Sequence, residues 1–269
     1  MPQMLRTKYR KIKGWKNMKE IKIVIADDNT YFCKFLNDYL KKYEDIEILE
    51  TANNDDDEIR MIEELKPDIV IIEDANGSTE LVRPLRDKGI KVALLRTPET
   101  VKDVEDQTRN VGRLLGRKDK AESLIGTMMN YIRDTESLRF ARRDEPKKTV
   151  AVYNQNGLYG KSKTLVADML TYVVVDNAAI KSGVRLTDYG TKADLIKADP
   201  DVIIVPMDTR APDYNRDAVY ASYYNDPALV NLKAIMNKKI AIVSNESMLA
   251  KTYHVGRGIY SMAQVVYER

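Results

Sequence analysis

Leu65-Lys66-Pro67-Asp68-Ile69-Val70-Ile71-Ile72 returns later in the chain as Ala198-Asp199-Pro200-Asp201-Val202-Ile203-Ile204-Val205. Each copy closes a helix-like segment with Pro-Asp and opens a run rich in β-branched residues. Proline cannot continue a helix, and a continuous apolar run suits a strand buried on both faces. The copies lie about half a chain apart. They predict two Rossmann-like α/β lobes with parallel sheets, and the cleft between such lobes is where a ligand is expected.

Working outward, Ile21–Ala26 reads as a first strand and residues 30–43 as an amphipathic helix. Strands follow at 46–49, 69–72 and 91–95, with a polar loop at 53–57 and a helix over 78–88 closed by Gly89. Such alternation implies a parallel sheet with right-handed crossovers. Two helices, 99–115 and 118–143, then interrupt the pattern. The second is long enough to brace both lobes. A second alternating unit has strands near 149–153, 172–175, 201–205 and 239–243, and helices near 161–170, 191–198, 227–237 and 255–268. The expected organisation is a basic, disordered tail over 1–19, a first lobe over 20–116, a bracing helix over 117–145 and a second lobe over 146–269.

Composition narrows the function. The 269 residues are 43% hydrophobic and carry a formal charge of +3. Arg6, Lys8, Arg10, Lys11, Lys13, Lys16 and Lys19 stand in the first 19 residues without an acid, which leaves about −4 for the remainder. A mildly acidic body argues against a nucleic-acid groove. Cys33 is the only cysteine and His254 the only histidine. That excludes an intrachain disulfide, Cys or His-pair metal clusters, and makes a Ser-His-Asp triad a poor reading. No nucleophile–base set or phosphate loop is present, so no enzyme is expected. No apolar leader core follows the basic start, and no run approaches transmembrane length. As written, the chain reads as cytoplasmic, or as extracytoplasmic if a leader has been removed.

From about Asp74 onward the chain resembles the class III substrate-binding proteins of ABC importers, which bind cobalamin, haem and iron–siderophores. The residues that carry this are Glu80-Leu81-Val82 through Leu85-Arg86-Asp87-Lys88-Gly89-Ile90-Lys91-Val92. Next come Val111-Gly112-Arg113-Leu114-Leu115-Gly116-Arg117 with Lys120-Ala121-Glu122. Asp199 through Pro206 and Asn225-Asp226-Pro227-Ala228-Leu229 with Leu232-Lys233-Ala234 complete the set. The resemblance implies non-catalytic binding of a metal chelate or tetrapyrrole-like ligand, of cobalamin, haem or ferric siderophore type, with no cofactor required. It also implies docking on an importer through one acid per lobe, seven residues before each Pro. Those positions hold Arg60 and Ala193, with Glu58 and Asp194 nearby, which weighs against docking.

The start resembles a different family. Ile21-Lys22-Ile23-Val24-Ile25-Ala26-Asp27-Asp28-Asn29, with Phe35-Leu36 and Ile46-Glu47-Ile48, is similar to a response-regulator receiver of the sporulation-regulator type. In that family the acidic pair helps bind Mg²⁺ and an Asp ending the third strand accepts phosphoryl. Asp27 and Asp28 match the pair, whereas the acceptor register falls on Glu73 and Asp74 is one residue late. A receiver-like signalling or scaffold module is therefore the alternative function. A natural fusion and an engineered chimera without native function both fit the junction near residues 65–72.

Ligands of such sheets bind beyond the carboxyl ends of the strands. That selects Asp74, Asn76, Ser78, Arg96, Thr97, Asn154, Tyr159, Asp208, Arg210 and Tyr223 as ligand-binding candidates. Tyr159 and Tyr223 offer flat apolar faces with polar tips, which suit corrin, porphyrin or catecholate. Arg96 and Arg210 suit ligand carboxylates. Asp27, Asp28 and Asp74 are candidates for weak Mg²⁺ binding. The negative charge of the Asp27-Asp28-Asn29 loop favours cobalamin-like or cationic ligands over anionic siderophores and haem propionates.

Overall fold

The computed structural model describes residues 21–26, 37, 40–41, 45–52, 62, 64–73, 79–184, 189–249 and 251–267. By its internal contacts the chain divides into two compact units, 1–96 and 97–269. The tail over 1–19 and most of the helix expected over 30–43 lie outside the described residues.

In the first unit β1 (Ile21–Ala26), β2 (Ile46–Ala52), β3 (Ile69–Glu73) and β4 (Lys91–Leu95) form a parallel sheet in the order β2-β1-β3-β4. Side chains alternate across a sheet. Val24, Val70 and Ile72 therefore share one face, where they bury against Ile62 and against Val82 and Leu85 of α1 (Thr79–Asp87). Gly89, at φ 79, ends the turn after α1, and the Ile90 N–H reaches back to the Leu85 carbonyl at 3.1 Å. Only a residue tolerant of left-handed backbone closes a helix this way.

The second unit begins with α2 (Val101–Leu114) and α3 (Lys118–Phe140). Thr100 and Asp103 form a reciprocal capping box at the start of α2, two hydrogen bonds that define where the helix begins. The buried stripe of α3 is Ala121, Ile125, Met128, Ile132 and Thr135, a helical spacing. It packs against α2 and against α10 (Val255–Tyr267). At Gly256 a Cβ atom would stand 2.5 Å from the Met128 carbonyl oxygen, so only glycine allows that approach of α3 and α10. These contacts hold α2 and α3 in the second unit and put the division at Arg96/Thr97, earlier than the boundary at 116 read from sequence.

The second sheet contains β5 (Thr149–Asn154), β6 (Gly157–Tyr159), β7 (Asp176–Asn177), β8 (Val202–Met207) and β9 (Ile240–Ser244). Its order is β6-β5-β8-β9, with β7 also paired to β5. Every residue of β5 is buried. Val150, Val152, Val202 and Ile204 face α4 (Leu165–Val173) and α10. Ala151, Tyr153, Ile203 and Val205 face the opposite core, which holds α5 (Ala178–Ser182) and α6 (Lys192–Ala198). Burial on both faces is the physical reason for the uninterrupted apolar runs.

Three local expectations are corrected. Residues 172–175 are not a strand: α4 runs to Val173, Val174 takes a left-handed φ of 60, and the paired residues are Asp176–Asn177. Leu165, Val166, Met169, Leu170 and Val173 form a buried helical face, and its packing outweighs the β-preference of the valines. The helix expected over 227–237 is reduced to α8 (Lys233–Met236). Finally, β6 pairs antiparallel with β5 as a hairpin. Its signal was the Asn156-Gly157 dipeptide, with Gly157 at φ 124.

Candidate functional site

The carboxyl ends of β5, β8 and β9 meet at one edge of the second sheet. A cavity of about 440 Å³ opens there, walled by Asn154, Asp208, Asp213, Tyr214, Asn215 and Asn245 among others. Two local signals build it. Pro206 and Met207 end β8 and release the chain into the loop that carries Asp208 and Asp213. Asn215 then caps α7 (Arg216–Tyr224), its side chain accepting from the Ala218 N–H at 3.0 Å.

Asn154 is 6% exposed and fully engaged. Its amide nitrogen donates to the Pro206 carbonyl at 3.1 Å, and its oxygen accepts from the Asn156 N–H at 2.9 Å and the Tyr159 hydroxyl at 3.2 Å. One side chain thus joins β8 to the β5–β6 hairpin and fixes the back wall of the cavity. The Tyr159 ring meets Tyr189 edge-on with centroids 5.4 Å apart.

Tyr223 is 8% exposed. Its hydroxyl donates to the Tyr153 carbonyl at 3.1 Å and its ring packs edge-on against Tyr153. Burial pushes its phenol well above the usual range. The side chain read as a ligand anchor therefore stands in the core behind the site.

Asp208 lines the cavity, and its carboxylate accepts from the Arg210 N–H at 3.0 Å. The Arg210 guanidinium turns to Glu246 of α9 (Asn245–Met248) and pairs with it. The other carboxylate oxygen of Glu246 lies 3.6 Å from Nε2 of His254. Burial holds the His254 imidazole below its ordinary value, with Glu246 opposing that shift. The arginine read as a partner for ligand carboxylates is thus matched by an internal acid.

Arg96 is exposed after β4 and ends the first unit; Thr97 begins the second and accepts from Nζ of Lys251 at 3.5 Å. Asp27, Asp28, Asp74, Asn76 and Ser78 lie outside the described residues, as does Arg60. Among the described residues no group of three or more His, Cys, Asp or Glu side chains is placed to hold a metal ion. Nor is any helix there long and apolar enough to cross a membrane. Ala193 is exposed on α6, and the neighbouring Asp194 closes a capping box with Thr191, so its carboxylate is committed to the helix start.

The site also holds Asp213 and Asn215, which the sequence reading passed over, and Asn245, which lies in the Ser244–Ser247 stretch that the sequence reading selected as a loop beyond a strand end. Asp213 and Asn215 stand in the Pro212-containing loop after β8, and Asn245 follows β9 directly. Their positions just past strand ends were the available signal.

Comparisons with known proteins agree with this architecture. The chain is 27% identical over 154 residues to an uncharacterized ABC transporter substrate-binding lipoprotein, YvrC, of Bacillus subtilis (strain 168), a match covering 55% of this chain and 48% of that protein. It is 30% identical over 87 residues to a protein-glutamate methylesterase/protein-glutamine glutaminase of Geobacillus kaustophilus (strain HTA426), covering 31% of this chain and 25% of that enzyme. The chain therefore spans about half the length of the first relative and a quarter of the second. Among solved structures, it superposes on the periplasmic heme-binding protein RhuT from Roseiflexus sp. RS-1 with a TM-score of 0.62 at 20% identity, covering 92% of this chain and 98% of that one. An ABC-type Fe3+-hydroxamate transport system protein from Saccharomonospora viridis DSM 43017 gives a TM-score of 0.57 at 18% identity, covering 93% and 94%. These likenesses show the expected fold class. The family model for periplasmic binding proteins matches residues 24–246, and the chain belongs to that family of binding proteins rather than enzymes.

Proposed function

We propose that this chain binds a small-molecule metal chelate or tetrapyrrole-like ligand, of haem, cobalamin or ferric siderophore type, without chemical turnover. The observation that carries the reading is the cavity of about 440 Å³ at the carboxyl edge of the second sheet. An open α/β sheet binds ligands at that edge. The cavity's back wall is held in place by the three hydrogen bonds of Asn154, so little ordering cost remains for a ligand to meet. The names of the structural neighbours support the ligand class: one is described as heme-binding and another as a Fe3+-hydroxamate transport protein. Importer docking through acidic residues is not part of this reading, because Ala193 offers no acid and Asp194 caps its own helix.

A second reading rests on a separate observation. The match to the methylesterase covers 31% of the chain, and the first unit has the parallel order β2-β1-β3-β4. Both favour a receiver-like first unit that acts as a signalling or scaffold module.

One thermal-shift experiment separates the two. Haem, cyanocobalamin and a ferric hydroxamate form one arm; Mg²⁺ with acetyl phosphate forms the other. A ligand of the native state at a hundred times its Kd stabilises by about 2.7 kcal/mol, a clear rise in Tm. The expected result is a rise with at least one chelate and none with acetyl phosphate, because Glu73 at the acceptor register is one methylene too long for in-line attack. A response to acetyl phosphate alone would replace the first reading by the second.

A further inference from the structure

The proposed function leaves open the charge of the ligand, and the following inference rests on that proposal. Among the described residues that line the cavity of the second unit, none is Lys or Arg, while Asp208 and Asp213 are both acids. The remaining polar lining is made of amides and hydroxyls, including Gln155 and Asn245. Two cations stand next in sequence to lining residues: Arg216 lies over the Tyr220 ring, and Arg210 is paired with Glu246, which also faces His254. The Arg210 charge is therefore matched before any ligand arrives. One wall atom has no partner: Oδ1 of Asn245 is buried without a hydrogen bond. A buried acceptor left unmade is destabilising until a donor reaches it.

We propose that this pocket selects a chelate that presents a positive charge or N–H and O–H donors to Asp208, Asp213 and Asn245, and rejects one that presents carboxylates or catecholate oxygens there. An anion entering this site meets two like charges, and none of the described lining residues is a cation to offset them. A ligand ammonium gains from both carboxylates, and an N–H donor satisfies the orphaned Asn245 oxygen. Electrostatic complementarity of this kind acts mainly on partner choice.

The test uses the full chain and three ferric chelates, followed by isothermal titration at low salt. The probes are ferrioxamine B, which carries a free ammonium; its N-acetyl derivative, which is neutral on the same scaffold; and the trianionic ferric tricatecholate enterobactin. The expected order of affinity is cationic, then neutral, then anionic, with about a tenfold step between the first two. Raising NaCl to about 0.5 M should shrink that step, as screening requires. Asp213→Asn should weaken the cationic chelate by about threefold to tenfold and the neutral one by less. Asp213 stands at the cavity surface, and circular dichroism of the variant confirms that the fold is kept. If the anionic chelate binds as tightly as the cationic one, or Asp213→Asn affects both hydroxamates equally, the selectivity is wrong while chelate binding stands. If none of the three binds, the proposed function falls and the selectivity with it.

Discussion

The two Pro-Asp junctions are built alike along the backbone and differently in the space behind it. In the first unit the Asp68 N–H donates to the Lys22 carbonyl at 2.9 Å, and its carboxylate accepts from the Lys22 N–H at 3.1 Å. In the second unit Asp201 makes the same pair of bonds to Thr149, both at 2.8 Å. Each aspartate thus ties the strand it opens, β3 or β8, to the first strand of its unit, β1 or β5. The residue before each proline takes a left-handed conformation, Lys66 at φ 47 and Asp199 at φ 42. This left-handed residue closes the helix and the proline prevents it from restarting.

The difference lies in what fills the junction. In the second unit the Asp199 carboxylate accepts from the Lys233 N–H at 3.0 Å and pairs with Nζ at 3.1 Å, while the Pro200 carbonyl accepts from the Ala234 N–H at 3.0 Å. Helix α8 is seated on the phrase and covers it. In the first unit Lys66 is exposed, and a groove of about 570 Å³ runs past Pro67, Asp68, Gly89 and Lys91. The repeated phrase therefore encodes a strand junction and nothing about ligand chemistry. The cavity proposed to take a ligand lies at the other end of the strands, where the two halves of the sequence have no phrase in common.

Removing the aspartate carboxylates gives the largest contrast. Thr149 is 5% exposed, so Asp201→Ala strands a buried N–H and should cost about 2–3 kcal/mol. Lys22 is exposed, water replaces the lost acceptor, and Asp68→Ala should cost less than about 1 kcal/mol. Urea unfolding of the two variants measures this; equal losses would show the junctions to be energetically equivalent.

Glycine at the left-handed positions sharpens the comparison further. Lys66→Gly relieves backbone strain and removes an exposed side chain, so its effect should lie within about 1 kcal/mol of zero and lean towards stabilisation. Asp199→Gly loses both bonds to Lys233 and should destabilise by about 1 kcal/mol. Opposite signs in thermal unfolding are the expected outcome, and the same sign for both would break the distinction.

The smallest effect is in pH dependence. Burial pushes the Asp199 carboxyl up, but the hydrogen bonds from Lys233 prevail and hold it below the usual carboxylate range. A depressed folded pKa contributes stability above the unfolded value, near about 3.9, and loses it as pH falls through the folded value. The side chain is 41% exposed, so solvent keeps the effect to a few tenths of a kcal/mol. Asp199→Asn should therefore flatten the acid limb of the stability profile below about pH 4, whereas Lys66→Met leaves that limb unchanged. An identical acid limb in wild type and Asp199→Asn would remove the Lys233 pair from the account.

Much of the fold was legible because it follows local rules. Ile21–Ala26 and Lys91–Leu95 carry the residue choices and boundaries that the sequence predicts, and α6 and α10 begin and end within a residue of their expected limits. The valines at 173–175 misled because branching favours a strand in isolation, whereas packing of Met169, Leu170 and Val173 in the core decides for a helix. The site was legible only in outline. Position after a strand end drew attention to Asn154 and Asp208, and both wall the cavity. Chemistry at each position depended on partners far away in sequence. Tyr223 became a core residue once the Tyr153 carbonyl accepted its hydroxyl, and Arg210 became a balanced charge once Glu246 reached it.

By itself, the sequence determined the alternation of strands and helices, the two Pro-Asp junctions and the stretches able to bury both faces of a sheet. Those properties reside in residue type and near neighbours: a fixed proline φ, branched side chains and helical spacing. Only the tertiary structure decided which strand ends share a cavity, which acids in it remain unmatched and which tyrosine is core. These are distance relations between residues such as Asn154 and Pro206, 52 positions apart, and they exist only after the chain has folded.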